Sequence, residues 1–565
     1  MFSAATVRLD LKNAHFKTDI KRVGIIVKEK SGKSRSAAAL FRAVPDASVV
    51  LRILICVILL ILARKLSVSS LVSTIIMIVS IIIVGYDLVI TAVKAVMSGN
   101  YFDVSCLVSL AAIAVFEVGC HTEATVFLIL YQALALMLSV LTKHIKQSAA
   151  KLVPAENKEY IARLNSSLND SGSSEGKSYE RLSRIVGLSV KILTVCAVLY
   201  AVFIPMITDM TYLMSVRRGA MILIAAAPIS MFVSDPLCRM CGMYLSASCG
   251  VFVQNTYAFE KSSSLTSVVF DKENVITGGA PKISAIVSPA LDKNDFLMTA
   301  AHIACKSDQS ISAPILSAYN GIIQTERVTD FEDHLGIGMV ARLGGREVVL
   351  GTKELLDIRG ITLDEEDIRS GYVLYLIIAG KYAGCIIFNE NINPYAQRTV
   401  TDLRRMGVES FLVSSDSSSI CQKTSATIGV KTAYSGCDTM KKLMTLRELK
   451  QASQKDDVLM YVSSEHVDYH TDADIDVIVG ASADATEDIL MSNIGIFGIP
   501  VMISASRLAA DIRFQNTALT LAVKLILILL ALLGWATLWF VVLLDFAAGI
   551  LGMLNVMRIL IPEKE

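Results

Sequence analysis

Eight apolar runs set the first constraint on this chain, near 50–64, 67–89, 104–118, 122–142, 185–208, 217–234, 517–534 and 535–556. Between the sixth and the seventh lies a block, about 251–515, of ordinary soluble composition. A helix needs about 20 residues to cross the hydrocarbon of a bilayer, and the shorter runs reach that length by borrowing flanking residues. The pattern predicts a helical membrane protein of about eight spans, with the lipid bilayer as its first partner. Composition agrees. Of 565 residues 53% are hydrophobic and 19% charged, and mean hydropathy is +0.56, too apolar for a soluble chain of this length.

The net charge of +1 gives no argument for nucleic acid, and no nucleic-acid partner is expected. Its distribution says more, because residues 1–52 hold 11 Lys/Arg against 4 Asp/Glu just before the first apolar run. By the positive-inside rule that segment stays cytoplasmic. An even number of spans then puts both termini and the soluble block in the cytoplasm. No short apolar core with a small-residue cleavage site precedes the first run, so no cleaved signal is expected. The eleven cysteines show no paired framework, and reduced thiols are the default.

Along the chain the expected parts are a basic cytoplasmic segment (1–49), four spans (50–142), a short connection (143–183) and two spans (184–250). The soluble block follows, and two further spans with the C-terminus (516–565) close the chain. In the block "SVVF", "SFLVSS" and "VLMYVSS" read as buried parallel strands separated by helices such as "AQRTVTDLRRMG". These predict a doubly wound α/β domain from 251–284 and 386–515. The segments "GMVARLGGREVVLGT" and "YVLYLIIAGKYAGCIIF" alternate instead, predicting an antiparallel α+β domain inserted over 285–385. Asp271 follows the first parallel strand, at the end where such a sheet opens toward its ligands.

At these residues the chain resembles the heavy-metal P-type ATPases, most of all the zinc/cadmium/lead exporters. The likeness runs from about residue 85 to the end, through "SGNYFDVSCLVSLAAIA", "AAAPISMFVSDP", "VVFDKENVITGG", "GIGMVARLGGREVVLGTKELL" and "QNTALTLAVKLILILLALLGWATLWFVVLLD". The resemblance implies a HAD-like phosphorylation domain carrying an inserted nucleotide-binding-like domain, with ATP, Mg²⁺ and a divalent transition metal such as zinc or cadmium as ligands. It implies that Asp271 is the phosphoryl acceptor, with Lys272, Thr277 and Asp416 beside it. Gly336, Gly338 and Gly351 match the nucleotide side, where glycines either admit close backbone approach or serve as turn residues. Asp468 matches a Mg²⁺-binding Asp.

Several positions depart from the family pattern. A Thr-Gly pair after Asp-Lys is Glu273-Asn274, and a second carboxylate there opposes an incoming phosphate, by about 4 kcal/mol for unit charges 4 Å apart at an effective dielectric of 20. Ser414 and Ser415 replace the Thr-Gly that precedes Asp416, and Ser463, Ser464 and Glu465 replace a Gly-Asp-Gly. Gln309 stands where the adenine-contacting His would be. The 143–183 connection is too short for the actuator domain and contains no Thr-Gly-Glu, which leaves room for a separate protein partner. In the sixth span Ala227-Pro228-Ile229 replaces Cys-Pro-Cys, so both soft ligands are missing.

Lys524 and Asp545 match the internal counter-charge and the metal ligand of the zinc-exporting members, and Asn555 and Arg558 continue the match. Each charge in a span costs about 2.5–3.5 kcal/mol on the insertion scale, which disfavours chance retention; with the other metal ligands gone, a structural ion pair holding two helices together is the favoured reading over a metal site. Cys238 and Cys241 are either packing residues or a thiol pair on one helix face. His466 and His470, with Glu465 and Asp468, read as a solvated loop or a new metal site. The expected result is a protein of the inner (plasma) membrane with pump architecture and incomplete catalytic parts, acting in metal homeostasis or regulation. The alternatives are a divergent ATP-driven exporter and a membrane-anchored docking protein.

Overall fold

The computed structural model describes residues 47–65, 70–99, 101–150, 177–227, 229–278, 281–309, 311–364, 372–464, 471–480, 488–491 and 495–560. The basic segment up to residue 46, most of the 143–183 connection, Pro228 and the 465–470 cluster with Glu465, His466, Asp468 and His470 lie outside them. The chain divides into two compact units, one formed by residues 250–503 and one by the helices on either side.

The helical unit begins with α1 (Ala47–Lys65), α2 (Ser70–Met97), α3 (Val104–Glu117), α4 (His121–Ala150) and α5 (Lys177–Ile207). Then come α6 (Tyr212–Ala226) and α7 (Ile229–Ser248). Asp103 starts α3 by accepting the Ser105 amide at 2.9 Å, satisfying a donor that the first turn leaves free. Six helical stretches, among the described residues, are long and apolar enough to cross a membrane. The expectation of about eight is not met by that measure. Helix α3 has only 14 residues, about 21 Å at 1.5 Å per residue, and α1 carries Arg52, Arg64 and Lys65 in its 19. The sixth expected run is among the six, within Tyr212–Ser248, with Ala227 extended at φ −64°, ψ 121° inside it.

The second unit contains two sheets. The first is formed by β1 (Val251–Val253), β2 (Leu265–Asp271), β9 (Glu409–Val413), β10 (Thr432–Tyr434), β11 (Val458–Ser463), β12 (Ile475–Val479) and β13 (Ile489–Met491). Their order is β1-β13-β12-β11-β2-β9-β10. Every pairing is parallel except that of β1 with β13. All six residues of β11 are buried, as expected of a strand covered on both faces, and this explains its unbroken apolar run. Helices α9 (Ala396–Arg405), α10 (Ser418–Ile428) and α11 (Thr439–Ala452) connect the strands. Leu446 packs with Val269, Val413, Leu459 and Tyr461.

Between β2 and α9 the chain builds the second sheet from β3 (Lys282–Val287), β4 (Val328–His334), β5 (Gly338–Leu343), β6 (Arg346–Gly351), β7 (Tyr372–Ile378) and β8 (Lys381–Asn389). Its order is β3-β8-β7-β6-β5-β4, antiparallel throughout. Helix α8 (Lys293–Ala304) covers it with Phe296, Ala300 and Ile303 against Leu350, Leu374 and Ile386. Ile420 of α10 joins that same cluster. The two strands crossing between the sheets are tied by Gly278 N to Asn391 O at 2.7 Å and Asn391 Nδ2 to Gly278 O at 3.0 Å.

The chain closes with α12 (Gly498–Leu533) and α13 (Leu538–Val556). Thr537 caps α13 through its hydroxyl and the Phe540 amide, 3.3 Å apart.

Candidate functional site

Adjacent parallel strands β9, β2 and β11 deliver their carboxyl ends to one place. Asp271 is the last residue of β2 and 3% exposed. The Lys442 ammonium, from the first turns of α11, donates to both its oxygens, at 2.9 and 2.8 Å. The Tyr461 hydroxyl of β11 reaches Oδ2 at 3.4 Å. Lys442 also donates to Glu273 Oε2 at 3.2 Å.

Loop 272–276 turns tightly, Thr277 N returning to Lys272 O at 2.9 Å. Asn274 makes the turn possible with φ 56°, a left-handed conformation that Asn tolerates better than most residues with a Cβ. The Thr277 hydroxyl donates to Lys272 O at 3.1 Å and so closes the same turn. Ser464 Oγ donates to Glu273 O at 3.0 Å. The Glu273 carboxylate then accepts Ser414 Oγ at 3.1 Å, Ser415 N at 3.2 Å and Ser415 Oγ at 2.8 Å on Oε1.

Lys272 turns the other way. Its ammonium pairs with Asp416 and with Glu390, the residue just after β8. Thr424 Oγ1 holds the second Glu390 oxygen at 2.7 Å, and Asp416 N donates to Ser414 Oγ at 3.1 Å. Two lysines and four carboxylates therefore interlock, in two groups bridged by the 414–416 loop.

Electrostatics follow from burial and pairing. Burial, then the neighbouring Glu273, pushes the Asp271 carboxyl well above its ordinary value, with Lys442 pulling the other way. Burial would raise Glu273 too, but its contacts with Asp271, Lys442 and Ser415 outweigh that and hold it well below the usual carboxylate range. Burial opposes the Lys442 charge, and Asp271 and Glu273 more than restore it. Lys272 is raised in the same manner by Asp416 and Glu390 against burial.

The glycines on the inserted sheet have packing reasons. Gly338 and Gly351 face each other across β5 and β6, and a Cβ on Gly338 would strike the Gly351 Cα. Gly336 has φ 76°, and a Cβ there would strike the Ser415 carbonyl. Its own carbonyl accepts the Ser417 amide at 3.2 Å. The Gly336 turn thus sits directly on the 415–417 loop. Gln309 closes it from behind: its Oε1 accepts the Gly336 amide at 3.3 Å, while Nε2 donates to His334 O at 3.2 Å, Gly338 O at 3.4 Å and the Asp333 carboxylate. Gly336→Ala is expected to cost more than about 1 kcal/mol, since φ is positive and backbone blocks the new methyl. A thermal midpoint equal to wild type would disprove that contact.

In the helical unit Lys524, on α12, is 7% exposed. It donates to Ala225 O at 2.9 Å, Ala227 O at 2.5 Å and Asp545 Oδ1, on α13, at 3.0 Å. The α6 break frees carbonyls that a continuous helix would bond, and the ammonium satisfies them. Asn555 Nδ2 donates to Asn516 Oδ1 at 2.8 Å, and Arg558 to Asn555 Oδ1 at 3.1 Å. Cys238 and Cys241 are fully buried free thiols on α7. Among the described residues no group of three or more His, Cys, Asp or Glu side chains is placed to hold a metal ion.

No protein-family profile matches the chain. It is 28% identical over 352 residues to a zinc-transporting ATPase of Synechocystis, covering 61% of this chain and 48% of that protein. A cadmium, zinc and cobalt-transporting ATPase of Bacillus subtilis is 24% identical over 411 residues, 71% of this chain and 58% of its own. One of Helicobacter felis is 22% identical over 569 residues, with 84% and 83% covered. The crystal structure of a zinc-transporting PIB-type ATPase in an E2.Pi state superposes with a TM-score of 0.63 over 91% of this chain at 17% identity. In sequence the chain resembles these heavy-metal ATPases, and it shares the fold of that pump structure. It spans about half the length of the first two of these relatives.

The structure brings Asp271, Lys272 and Asp416 together at the carboxyl ends of β2 and β9, and Gly336 against the same loop. Thr277 lies one turn away, its hydroxyl spent on the backbone. Lys442, Glu390 and Tyr461 escaped the sequence reading. Helix phase was the available signal for Lys442, which shares a face with Leu446 and Leu449 while Lys441 bonds outward to Gly436 O.

Proposed function

We propose that this is a multi-pass inner-membrane protein of metal-pump architecture that forms no aspartyl phosphate and works by binding, in metal homeostasis or its regulation. Its α/β unit and both termini lie in the cytoplasm on this reading. One observation carries it: the Asp271 carboxylate is gripped on both oxygens by Lys442, while Glu273 fills the donors around it.

Those residues do not fit added Mg²⁺ and a nucleotide phosphate. An ammonium already stands between Asp271 and Glu273, where a cation would sit, and like charge excludes a second one. The Ser414 and Ser415 donors already hold a carboxylate. Gln309 is committed to the Gly336 turn rather than open to a base.

The test is incubation of the purified full-length protein with γ-labelled ATP and Mg²⁺, beside an Asp271→Asn control. No hydroxylamine-sensitive label above that control is expected. Label that vanishes with Asp271→Asn would replace this reading by its rival, a divergent ATP-driven metal exporter. The rival draws its support from Lys524 and Asp545, which keep a charged pair at the helix break. Metal-dependent ATP-driven uptake into vesicles would then follow.

A further inference from the structure

The first sheet also opens at its other end. A cavity of about 330 Å³ lies where β9 and β10 begin and where α9 and α10 finish, within the range of about 300–1,000 Å³ usual for ligand sites. It is separate from the Asp271 cluster. From Ser410, which lines it, to Ser414 the chain runs along β9 for about 13 Å at 3.3 Å per residue.

Its apolar lining includes the buried Val400, Val408 and Val430. Phe411 and Val413 pack with Leu446 of α11, so by strand alternation Ser410 faces the opposite side, that of the cavity. Its hydroxyl is buried and has no hydrogen-bond partner, an unusual state for such a group. The pairing of Thr432 with Phe411 brings Lys431 level with Ser410. Lys431 is exposed and, among the described residues, joins no ion pair. Arg404, in the last turn of α9, donates from Nη2 to Gly429 O at the end of α10, and a guanidinium has further N–H groups to give.

Two cations and one unserved hydroxyl select an anion. Helices α9 and α10 both end at the cavity, and their carbonyl ends oppose a second negative charge. Glu409 at the rim opposes it too, although alternation puts it on the face of Phe411. The valines ask for an apolar body behind the charge. We propose that this cavity binds a small organic monocarboxylate, held at its carboxylate by Lys431, Arg404 and the Ser410 hydroxyl and at its apolar end by the valines. One bound molecule joins the end of α9 to the starts of β9 and β10, and so stabilises the folded form.

Benzoate is the probe, radiolabelled and dialysed to equilibrium against the full-length protein in detergent, with protein-free micelles as blank. Saturable binding is expected, together with a raised unfolding midpoint. Benzamide keeps the shape without the charge and should not compete. Lys431→Gln should weaken binding about tenfold or more, as for loss of a hydrogen bond to a charged group. Lys431 contacts no other side chain in a bond or ion pair, so that loss reports the ligand, and the unfolding midpoint without benzoate checks that the variant is folded. Ser410→Ala should weaken binding by about two- to tenfold. Absence of saturable benzoate binding to wild type overturns the proposal. So does equal competition by benzamide, which would mark a merely apolar hole, and so does unchanged affinity in the folded Lys431→Gln protein.

Discussion

Lys442→Met should lower the stability of the protein by about 3–5 kcal/mol, the usual cost of removing one partner from a buried ion pair. Lys442 is the cation shared by Asp271 and Glu273, and without it two carboxylates face each other in a buried site. The loss depends on pH with a definite sign. Glu273, held below its ordinary value, contributes stability above the glutamate range near about pH 4.3 and loses it as pH falls. Asp271, pushed up, has the opposite sign: its protonated form favours folding, and that contribution fades as pH rises through its folded value. In the methionine variant both groups gain from protonation, so the deficit is largest at neutral pH and shrinks on acidification. Thermal unfolding across pH 4–8 measures it. A deficit that grew toward acid would sink the clamp. Combining Lys442→Met with Glu273→Gln should recover part of the loss, because one of the two stranded charges is gone.

Lys524→Met is the second large effect, again about 3–5 kcal/mol, for a different reason. The ammonium here neutralises Asp545 and also satisfies the Ala225 and Ala227 carbonyls. Removing it strands a carboxylate and two backbone acceptors in a region without water. The pairing predicts strong coupling: Lys524→Met with Asp545→Leu should be less damaging than Lys524→Met alone, although the carbonyls stay unserved. A double-mutant cycle on unfolding in detergent gives the coupling directly. Purely additive effects would mean that the two charges do not see each other.

Much of the fold was legible because each element wrote its own period. Residues 458–463 are an apolar run because β11 is covered on both faces, and along 338–351 Met339, Ala341, Val348 and Leu350 enter one cluster while Val340 and Val349 enter another. Asp271 could be placed at a strand end for the same reason. Span count was harder, since apolarity does not reveal that α3 stops after 14 residues. Side chains that arrive from distant segments were hardest. Nothing local marks Glu390 as the partner of Lys272, 118 positions away. Glu273 was legible as a charge opposed to phosphate, but its partners Ser414, Ser415 and Lys442 meet it only once β9 and α11 are folded beside β2. Gln309 read as a lost contact, whereas the structure gives it the work of fastening the Gly336 turn.

Asn274 carries a consequence of its own. Its left-handed backbone is one that glycine adopts without strain, so a glycine at 274 would leave the course of the loop unchanged. Restoring Thr and Gly at 273 and 274 would require no rebuilding of the chain around them. What surrounds Asp271 can therefore be exchanged side chain by side chain on one backbone, which separates the chemistry of the site from the stability of its loop.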